Sequence, residues 1–185
     1  MLIGLSGKAG SGKDTLADIF LNVRGHGVKL AFAGPLKQAC GCLFGLSDRQ
    51  LHDPILKEQE DSRWGRSPRK ILQFVGTNLL REQFDKDIFI KTMRSRIEAE
   101  RANTNMIIVT DCRFENESQL IRDMGGSILH IVRPGVITTQ HNHHVSEQAT
   151  ERLSTDFVIV NDTDLENFEK RGINLLAKLS IKYSR

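Results

Sequence analysis

A glycine-rich stretch near the start of the chain constrains the fold more than any other feature. Residues 7–15 read Gly-Lys-Ala-Gly-Ser-Gly-Lys-Asp-Thr, which has the G-x-x-x-x-G-K spacing of a phosphate-binding loop. A short apolar run, residues 2–5, precedes this stretch, and a helical pattern of apolar residues, 16–20, follows it. Strand, loop and helix in this order place backbone amides and a helix N-terminus around a phosphate. We therefore predict a nucleotide-binding loop rather than an ordinary glycine-rich turn.

The residues of this loop have separate predicted tasks. Glycines let the backbone curl around phosphate oxygens, and the lysine adds a mobile positive charge. The residues predicted to bind the nucleotide are Gly7, Gly10, Ser11, Gly12, Lys13, Asp14 and Thr15. Asp14 stands where the usual motif has the Ser or Thr that reaches magnesium. Asp14 either binds the metal in place of that Ser or Thr, or is an acid favoured by the dipole at the first helical turn. Thr15 is placed to donate a hydrogen bond from its hydroxyl to a phosphate.

Length and composition indicate one compact domain. The chain has 185 residues, of which 39% are hydrophobic and 26% charged, within the ordinary range of a globular protein. No apolar run approaches the ~20 residues of a membrane span, so we expect no membrane partner. The first strand begins so early that we expect no signal peptide. The formal charge of +3 predicts no direct binding to nucleic acid.

The three cysteines, Cys40, Cys42 and Cys112, have an odd number and a spacing that does not suit a disulfide framework. Cys40 and Cys42 also lack the C-x-x-C spacing of zinc and redox sites. We predict three reduced thiols in the core or in a pocket wall, and a cytoplasmic location for the protein.

Short apolar runs alternate with helical patterns along the chain. Each run is rich in branched residues, as expected of strands that are buried on both faces. The predicted strands are 2–6, 28–33, 106–110, 128–132 and 157–160. The predicted helices are 12–23, 68–81, 87–102 and 115–124, and a capping box over residues 163–166 begins a last helix. This alternation predicts an α/β fold with a five-stranded parallel sheet and helices on both faces.

Two segments interrupt this alternation. Residues 35–105 are too long for a simple crossover and are helical and basic, so we predict an acceptor-binding insert in a core of residues 1–34 and 106–185. Residues 134–149 contain glycine, proline, histidine and threonine after a strand, and they predict a mobile lid over the site. The histidines of this segment, His141, His143 and His144, do not have the spacing of a zinc site.

Ligands of parallel α/β sheets bind at the carboxyl ends of the strands. Besides the loop, the segments that follow predicted strands are 34–37, 111–113, 133–134 and 161–162. Their acids and bases suit phosphoryl transfer, which depends on positioning and charge neutralisation. We predict that Lys13 lies along the transferring phosphate and that Arg133 reaches it from the base of the lid. Asp111 holds magnesium through water, orients the acceptor phosphate, or caps the next helix.

The predicted helix that begins at Ser67-Pro68 has features of an acceptor-binding element. Arg69 and Gln73 are four residues apart and therefore lie on one face. A guanidinium beside an amide suits a phosphate and a base edge together. The alternative is a solvated helix face, which we prefer for Lys70. Trp64, the single tryptophan, either stacks on a base or anchors the insert.

Several stretches, in the right order, resemble the bacteriophage-type deoxynucleoside monophosphate kinases. The loop at 6–15 resembles the corresponding loop of that family, including its Lys-Asp-Thr ending. Residues 67–77 and the D-x-R-F-x-N-E element at 111–117 resemble two further elements of the family. Residues 32–37, the H-x-S-E segment at 144–147 and residues 160–162 are similar to further elements of that family. The similarity covers nearly the whole chain.

This resemblance implies a three-layer P-loop kinase fold with ATP as phosphate donor, Mg²⁺ as cofactor and a deoxynucleoside monophosphate (dNMP) as acceptor. It implies that the residues which bind or support the acceptor are Lys37, Arg69, Gln73, Arg113, Glu117, His144 and Glu147. It places Asn161 and Asp162 at the border of the adenine. The candidate metal ligands are Asp14 and Asp111. The family also implies a viral source, hence the host cytoplasm, and a homodimer as one option.

The residues leave two other classes of protein open. Other small-molecule P-loop kinases, such as phosphomevalonate kinases, share a related Lys-Asp loop, and Gln73 on a base-binding helix favours a nucleotide acceptor over this class. A non-catalytic nucleotide-binding module is the second class, but the acceptor-side arginines and the lid have no purpose in it. The family pattern has an acid where His143 stands here, so the role of that position stays open.

Overall fold

The computed structural model describes residues 1–135 and 153–183. Two compact units divide the chain: Met1–Ala31 with Arg94–Arg185 is the first, and Phe32–Met93 is the second. The helices are α1 (Lys13–Arg24), α2 (Gly34–Phe44), α3 (Asp48–His52), α4 (Pro68–Gln73), α5 (Ile88–Arg101), α6 (Glu115–Asp123) and α7 (Leu165–Tyr183), and a π-helix spans Phe74–Phe84. Within the described ranges, no helix combines the length and apolar character that crossing a bilayer requires.

A parallel sheet lies at the centre of the first unit. Its strands are β1 (Leu2–Ser6), β2 (Val28–Leu30), β3 (Ile107–Val109), β4 (Ser127–Val132) and β5 (Phe157–Val160). Their spatial order is β2-β3-β1-β4-β5, and every pair is parallel. All five predicted strands are therefore present, and the predicted α/β fold with a five-stranded parallel sheet is confirmed. β1 is central, so the loop that follows it lies between the carboxyl ends of β3 and β4.

Helices cover both faces of this sheet. On one face, α1 and α7 bring Phe20 and Phe168 into a buried cluster with Leu5 and Ile131 of the strands. On the opposite face, α6 packs against β1 and β4. Gly4 permits this close approach, because a Cβ there would lie 2.6 Å from Ile128 Cδ1. The two apolar faces explain why the strands read as continuous hydrophobic runs.

The last helix begins one residue later than the predicted capping box. Asp164, rather than Thr163, accepts a hydrogen bond from the Asn167 backbone amide at 2.8 Å. The Glu166 side chain pairs with Lys170 instead of reaching back to the cap. The predicted capping box is therefore wrong, since the carboxylate one position after the threonine is the stronger acceptor and caps the helix through the Asn167 amide instead.

The second unit is helical, with a small core of its own. Its buried residues are Cys40, Leu46, Leu51, Ile71 and Leu72, contributed by α2, α3, α4 and the turn after α2. The predicted continuous helix over 68–81 is correct in position but not in hydrogen bonding, because α4 ends at Gln73 and the π-helix follows. Apolar spacing reports that a helix is present, but it does not distinguish an α from a π register over so few turns.

Asp61 organises the loop between α3 and α4. Its carboxylate is 6% exposed and accepts hydrogen bonds from Arg63 Nε at 2.9 Å and Arg63 Nη2 at 2.6 Å. Gln50 Nε2 donates to the same carboxylate at 3.0 Å. The bidentate Arg63 guanidinium is the main cause that holds the pKa of Asp61 well below its usual range.

The thiols are free, but they do not all lie in the interior. Cys40 and Cys112 are buried, and burial raises the pKa of each. Cys42 is exposed on α2, so its predicted place in the core or a pocket wall is wrong. The helical turn separates the two neighbouring cysteines: Cys40 faces the core of the second unit, and a residue two positions on lies on another side of the helix.

We predict that Asp61→Asn destabilises the protein at neutral pH and that this effect becomes smaller in acid. The folded-state pKa of Asp61 is lowered, so its stabilising contribution is fully present above the unfolded pKa of about 3.9 and decreases progressively as pH falls from there toward the lower folded-state pKa. The urea midpoint of the variant should therefore lie below that of the wild type at pH 7, and the gap should narrow at pH 3. Asp48→Asn, whose carboxylate is 91% exposed, is the control and should change little. A gap of equal size at both pH values contradicts the argument.

Candidate active site

The glycine-rich loop joins β1 to α1 in a conformation that needs glycine at two points. Gly12 has φ 102° and immediately precedes α1, and a Cβ there would lie 2.7 Å from Asn161 Nδ2. Gly7 has φ 143°, and a Cβ there would lie 2.5 Å from the Ile131 carbonyl oxygen. Any side chain at either position would therefore be strained and would push the loop away from β4 and β5.

Lys13 folds back over this loop. Its Nζ donates to the carbonyl oxygens of Gly7 and Lys8, both at 2.7 Å. The ammonium group therefore lies above the loop, where the sequence places it for contact with a phosphate.

Ser11 supplies an independent test of whether the loop fits a phosphate. The residue is 1% exposed, and within the described part of the chain its Oγ has no hydrogen-bond partner. A buried hydroxyl without a partner is unfavourable by about 1–3 kcal/mol, and it marks a position where a ligand oxygen is expected. Together with the lysine and the helix N-terminus, this hydroxyl makes the loop fit a phosphate group.

The residues that directly follow β4 and β5 donate hydrogen bonds to backbone carbonyls of the loop. Asn161, directly after β5, donates from Nδ2 to the Ser11 carbonyl at 2.9 Å. Arg133, directly after β4, donates from Nη1 to the Gly10 carbonyl at 3.1 Å. The structure thus brings both predicted residues to the loop, as the rule of strand carboxyl ends anticipates. Asp162 is nearby in sequence but pairs with Arg171 of α7 at 2.5 Å.

His130 also reaches the loop, and it was not found from the sequence. It is paired with Ser6 in the register of β4 and β1, and His130 Nδ1 shares a hydrogen bond of 3.3 Å with Ser6 Oγ. Burial, and then the charge of Lys13, lowers the pKa of His130. Its signal in the sequence is faint: a polar residue inside an apolar strand, two positions before the strand ends.

The turn after β3 carries Asp111 to the same edge of the sheet. The Cys112 amide donates to the Leu5 carbonyl at 3.0 Å, which fixes the turn beside the end of β1. The buried Glu117 carboxylate accepts from the amides of Arg113 at 2.8 Å and Phe114 at 3.2 Å, so it caps α6 and shapes the turn. Glu117 therefore supports the backbone that presents Asp111 and Arg113, and its contact with the acceptor stays a prediction.

The predicted metal ligands do not form a dense carboxylate site. Asp14 and Thr15 are exposed in the first turn of α1, and Asp111 is half-buried. Among the residues that the structure describes, no three His, Cys, Asp or Glu side chains cluster in a way that could hold a metal ion. Asp14 and Asp111 therefore stay predictions.

In the second unit, Ser67 caps α4 and thereby sets the direction of the predicted acceptor residues. The Lys70 amide donates to Ser67 Oγ at 3.4 Å, and Arg69 and Gln73 follow on one face of the helix. Arg69 Nε donates to the Glu58 carboxylate, so the guanidinium is held in place, and its side chain is 38% exposed. Lys37 lies half-buried in the first turn of α2.

Trp64 has a structural contact of its own. Its indole Nε1 donates to the Phe44 carbonyl at 3.0 Å, and the two rings meet edge to face with centroids 5.3 Å apart. Of the two predicted roles of Trp64, these contacts favour that of an anchor within the second unit over stacking on a base. The remaining predicted acceptor residues, His144 and Glu147, lie outside the described residues, as does most of the predicted lid over 134–149.

The fold is that of the P-loop kinases. Dephospho-CoA kinase from Campylobacter jejuni superposes with a TM-score of 0.55 at 16% identity, over 98% of each chain. Shikimate kinase from Aquifex aeolicus gives a TM-score of 0.52 at 13% identity, over 98% of this chain and 99% of its own. At such low identities the likeness establishes the architecture alone, and the loop described above is the phosphate-binding element of that architecture.

The sequence identifies the family within that class. The family model for deoxynucleotide monophosphate kinase matches residues 46–171. A protein of Acanthamoeba polyphaga mimivirus, provisionally named deoxynucleotide monophosphate kinase, is 37% identical over 97% of this chain and 98% of its own. The deoxynucleotide monophosphate kinase of Enterobacteria phage T4 is 26% identical over 96% of this chain and 99% of its own. The chain belongs to the deoxynucleotide monophosphate kinase family.

We predict that Asn161→Ala weakens nucleotide binding, because the variant loses the donor that holds the Ser11 carbonyl. One neutral hydrogen bond corresponds to about a three- to tenfold change in affinity. Titration calorimetry with MgADP should therefore give a dissociation constant raised by about that factor. Asn103→Ala is the matched control, since its amide donates to the Ala99 carbonyl at an exposed position. Equal affinity of both variants would show that the contact with β5 is dispensable.

Proposed function

We propose that this protein transfers the γ-phosphoryl group of ATP to a dNMP, with Mg²⁺, and releases ADP and a deoxynucleoside diphosphate. The observation that carries the proposal is the loop with its buried Ser11 hydroxyl and its lysine, found in a chain of the deoxynucleotide monophosphate kinase family. The product would supply deoxynucleotides for DNA synthesis, and the viral relatives favour the cytoplasm of a host cell as the place of action.

The donor side of the proposed reaction rests on the first unit. Bound ATP and Mg²⁺ supply the phosphoryl group and much of the charge neutralisation that the transfer needs. The loop amides and the Ser11 hydroxyl bind phosphate oxygens, and Lys13 moves its hydrogen bonds from loop carbonyls to phosphate. Arg133 can add positive charge if it leaves the Gly10 carbonyl. Asn161 keeps the loop closed around the phosphates.

The acceptor side rests on polar and basic side chains, of which Arg69 is already held in place by the protein. The ion pair with Glu58 restricts the rotamers of Arg69, so less side-chain entropy is lost when its remaining donors bind a phosphate. Gln73, one turn along α4, offers an amide to a base edge. Arg113 stands on a turn that Glu117 holds rigid. Lys37 supplies a further positive charge.

The first experiment identifies the acceptor and tests the catalytic lysine. ADP release is measured with MgATP and each of the four dNMPs and the corresponding ribonucleotides in turn. We expect release that depends on at least one dNMP, and we expect Lys13→Ala to lower kcat by about 10²–10³-fold with an unchanged far-UV circular dichroism spectrum. Release that never depends on a monophosphate rejects the proposal. Dependence on a non-nucleotide acid would favour another small-molecule kinase.

We predict that Arg69→Ala weakens the use of the acceptor dNMP and leaves the use of the donor ATP nearly unchanged. Loss of a charge-assisted contact to phosphate should raise KM for the dNMP at least tenfold, while KM for ATP changes less than twofold. Steady-state kinetics with each substrate varied in turn measures both values. Arg49→Ala, which removes an exposed arginine from α3 of the same unit, is the matched control. A similar rise in both KM values would assign Arg69 a structural role instead.

A further inference from the structure

The end of β4 and the residue that follows it contact the end of β1 and the phosphate-binding loop at three points. His130 shares a hydrogen bond with Ser6, the last residue of β1. The Ile131 carbonyl lies so close to Gly7 that no Cβ would fit between them. Arg133 donates to the Gly10 carbonyl. The strand and the residue directly after it thus support the start and the middle of the loop.

We propose that His130 is a positioning residue for the phosphate-binding loop, and that its hydrogen bond with Ser6 sets the affinity of the loop for nucleotide phosphates. This inference rests on the proposed function, because it assumes that the loop binds a nucleotide. It assigns a role to a residue that none of the recognised motifs of the sequence contains.

The burial of Ser6 makes the contact important. Ser6 is 0% exposed, so its hydroxyl depends on protein partners. With His130 present, that hydroxyl has a hydrogen-bond partner at the point where the extended strand leads into the loop. Without an imidazole at position 130, the buried hydroxyl would lose this partner, and the Ser6 side chain would rotate toward another one. Gly7 follows directly, so such a rotation would move the first amide of the loop.

The charge of Lys13 gives the second reason. Both burial and Lys13 oppose a proton on His130, so the ring is neutral at neutral pH, with one nitrogen that donates and one that accepts. A neutral ring satisfies Ser6 without adding a second positive charge beside the ammonium group. Lys13 can then stay over the loop, on the carbonyls of Gly7 and Lys8. A hydrophobic ring of similar size would fill the space but would leave Ser6 without its partner.

The experiment measures MgADP affinity by titration calorimetry for His130→Phe, Ser6→Ala and the double variant. Each single change should raise the dissociation constant about three- to tenfold, the usual range for one hydrogen bond. The double variant should be no weaker than the weaker single variant, because both changes remove the same contact. His130→Asn can still hydrogen-bond to Ser6 and should stay within twofold to threefold of the wild type. His26→Asn, an exposed histidine bonded to the Asn103 carbonyl, is the matched control.

Three results would overturn the inference: wild-type affinity in Ser6→Ala, effects that multiply in the double variant, or His130→Asn as weak as His130→Phe. Thermal midpoints measured without nucleotide show whether His130→Phe folds. If it does not fold, the MgADP affinities of Ser6→Ala and His130→Asn still test the inference. KM for the dNMP should change less than twofold in every variant. MgADP binding by the wild type without transfer to any dNMP would reject the proposed function but leave the role of His130 intact.

Discussion

The candidate site depends on hydrogen bonds made to the outside of the phosphate-binding loop. A loop whose amides converge on one point turns carbonyl oxygens in other directions, and these need donors as much as the amides need a ligand. Asn161 and Arg133 supply donors to Ser11 and Gly10, and Lys13 supplies two more at the start of the loop until a phosphate takes them over. The loop is therefore shaped by the protein itself, before any nucleotide binds, and little ordering is needed on binding.

The strand order makes this support possible. Because β1 is central, the loop after it meets the ends of β3 on one side and of β4 on the other, and β5 follows β4. Parallel strands bring all these ends to one edge, so residues more than a hundred positions apart in sequence share one small region. In the second unit, the Asp61–Arg63 pair and the Trp64–Phe44 contact do comparable work for the loop that precedes α4.

Sequence patterns predict those parts of the structure that depend on burial or on a motif with fixed spacing. The five strands were found because both of their faces are covered, and Asn161 and Arg133 because they follow strands directly. The π-helix after Gln73 was missed because apolar spacing does not encode its hydrogen-bond register. His130 was missed because its partner, Ser6, is distant in sequence and is matched to it by strand register alone. The roles assigned to Arg69, Gln73, Lys37 and Asp14 stay predictions, since they concern ligands.

The two carbonyl bonds of Lys13 have a consequence for selectivity. They act as internal competitors: a phosphate that takes either of these two N–H donors displaces the Gly7 or the Lys8 carbonyl oxygen, each at 2.7 Å. The net gain from the lysine is then the difference between two sets of hydrogen bonds rather than the full strength of one. A weakly charged anion gains little from this exchange, whereas a polyphosphate that also engages Ser11 and the loop amides can complete it. With the proposed ligand, the loop would therefore discriminate by the number of contacts that a phosphate compound makes at once.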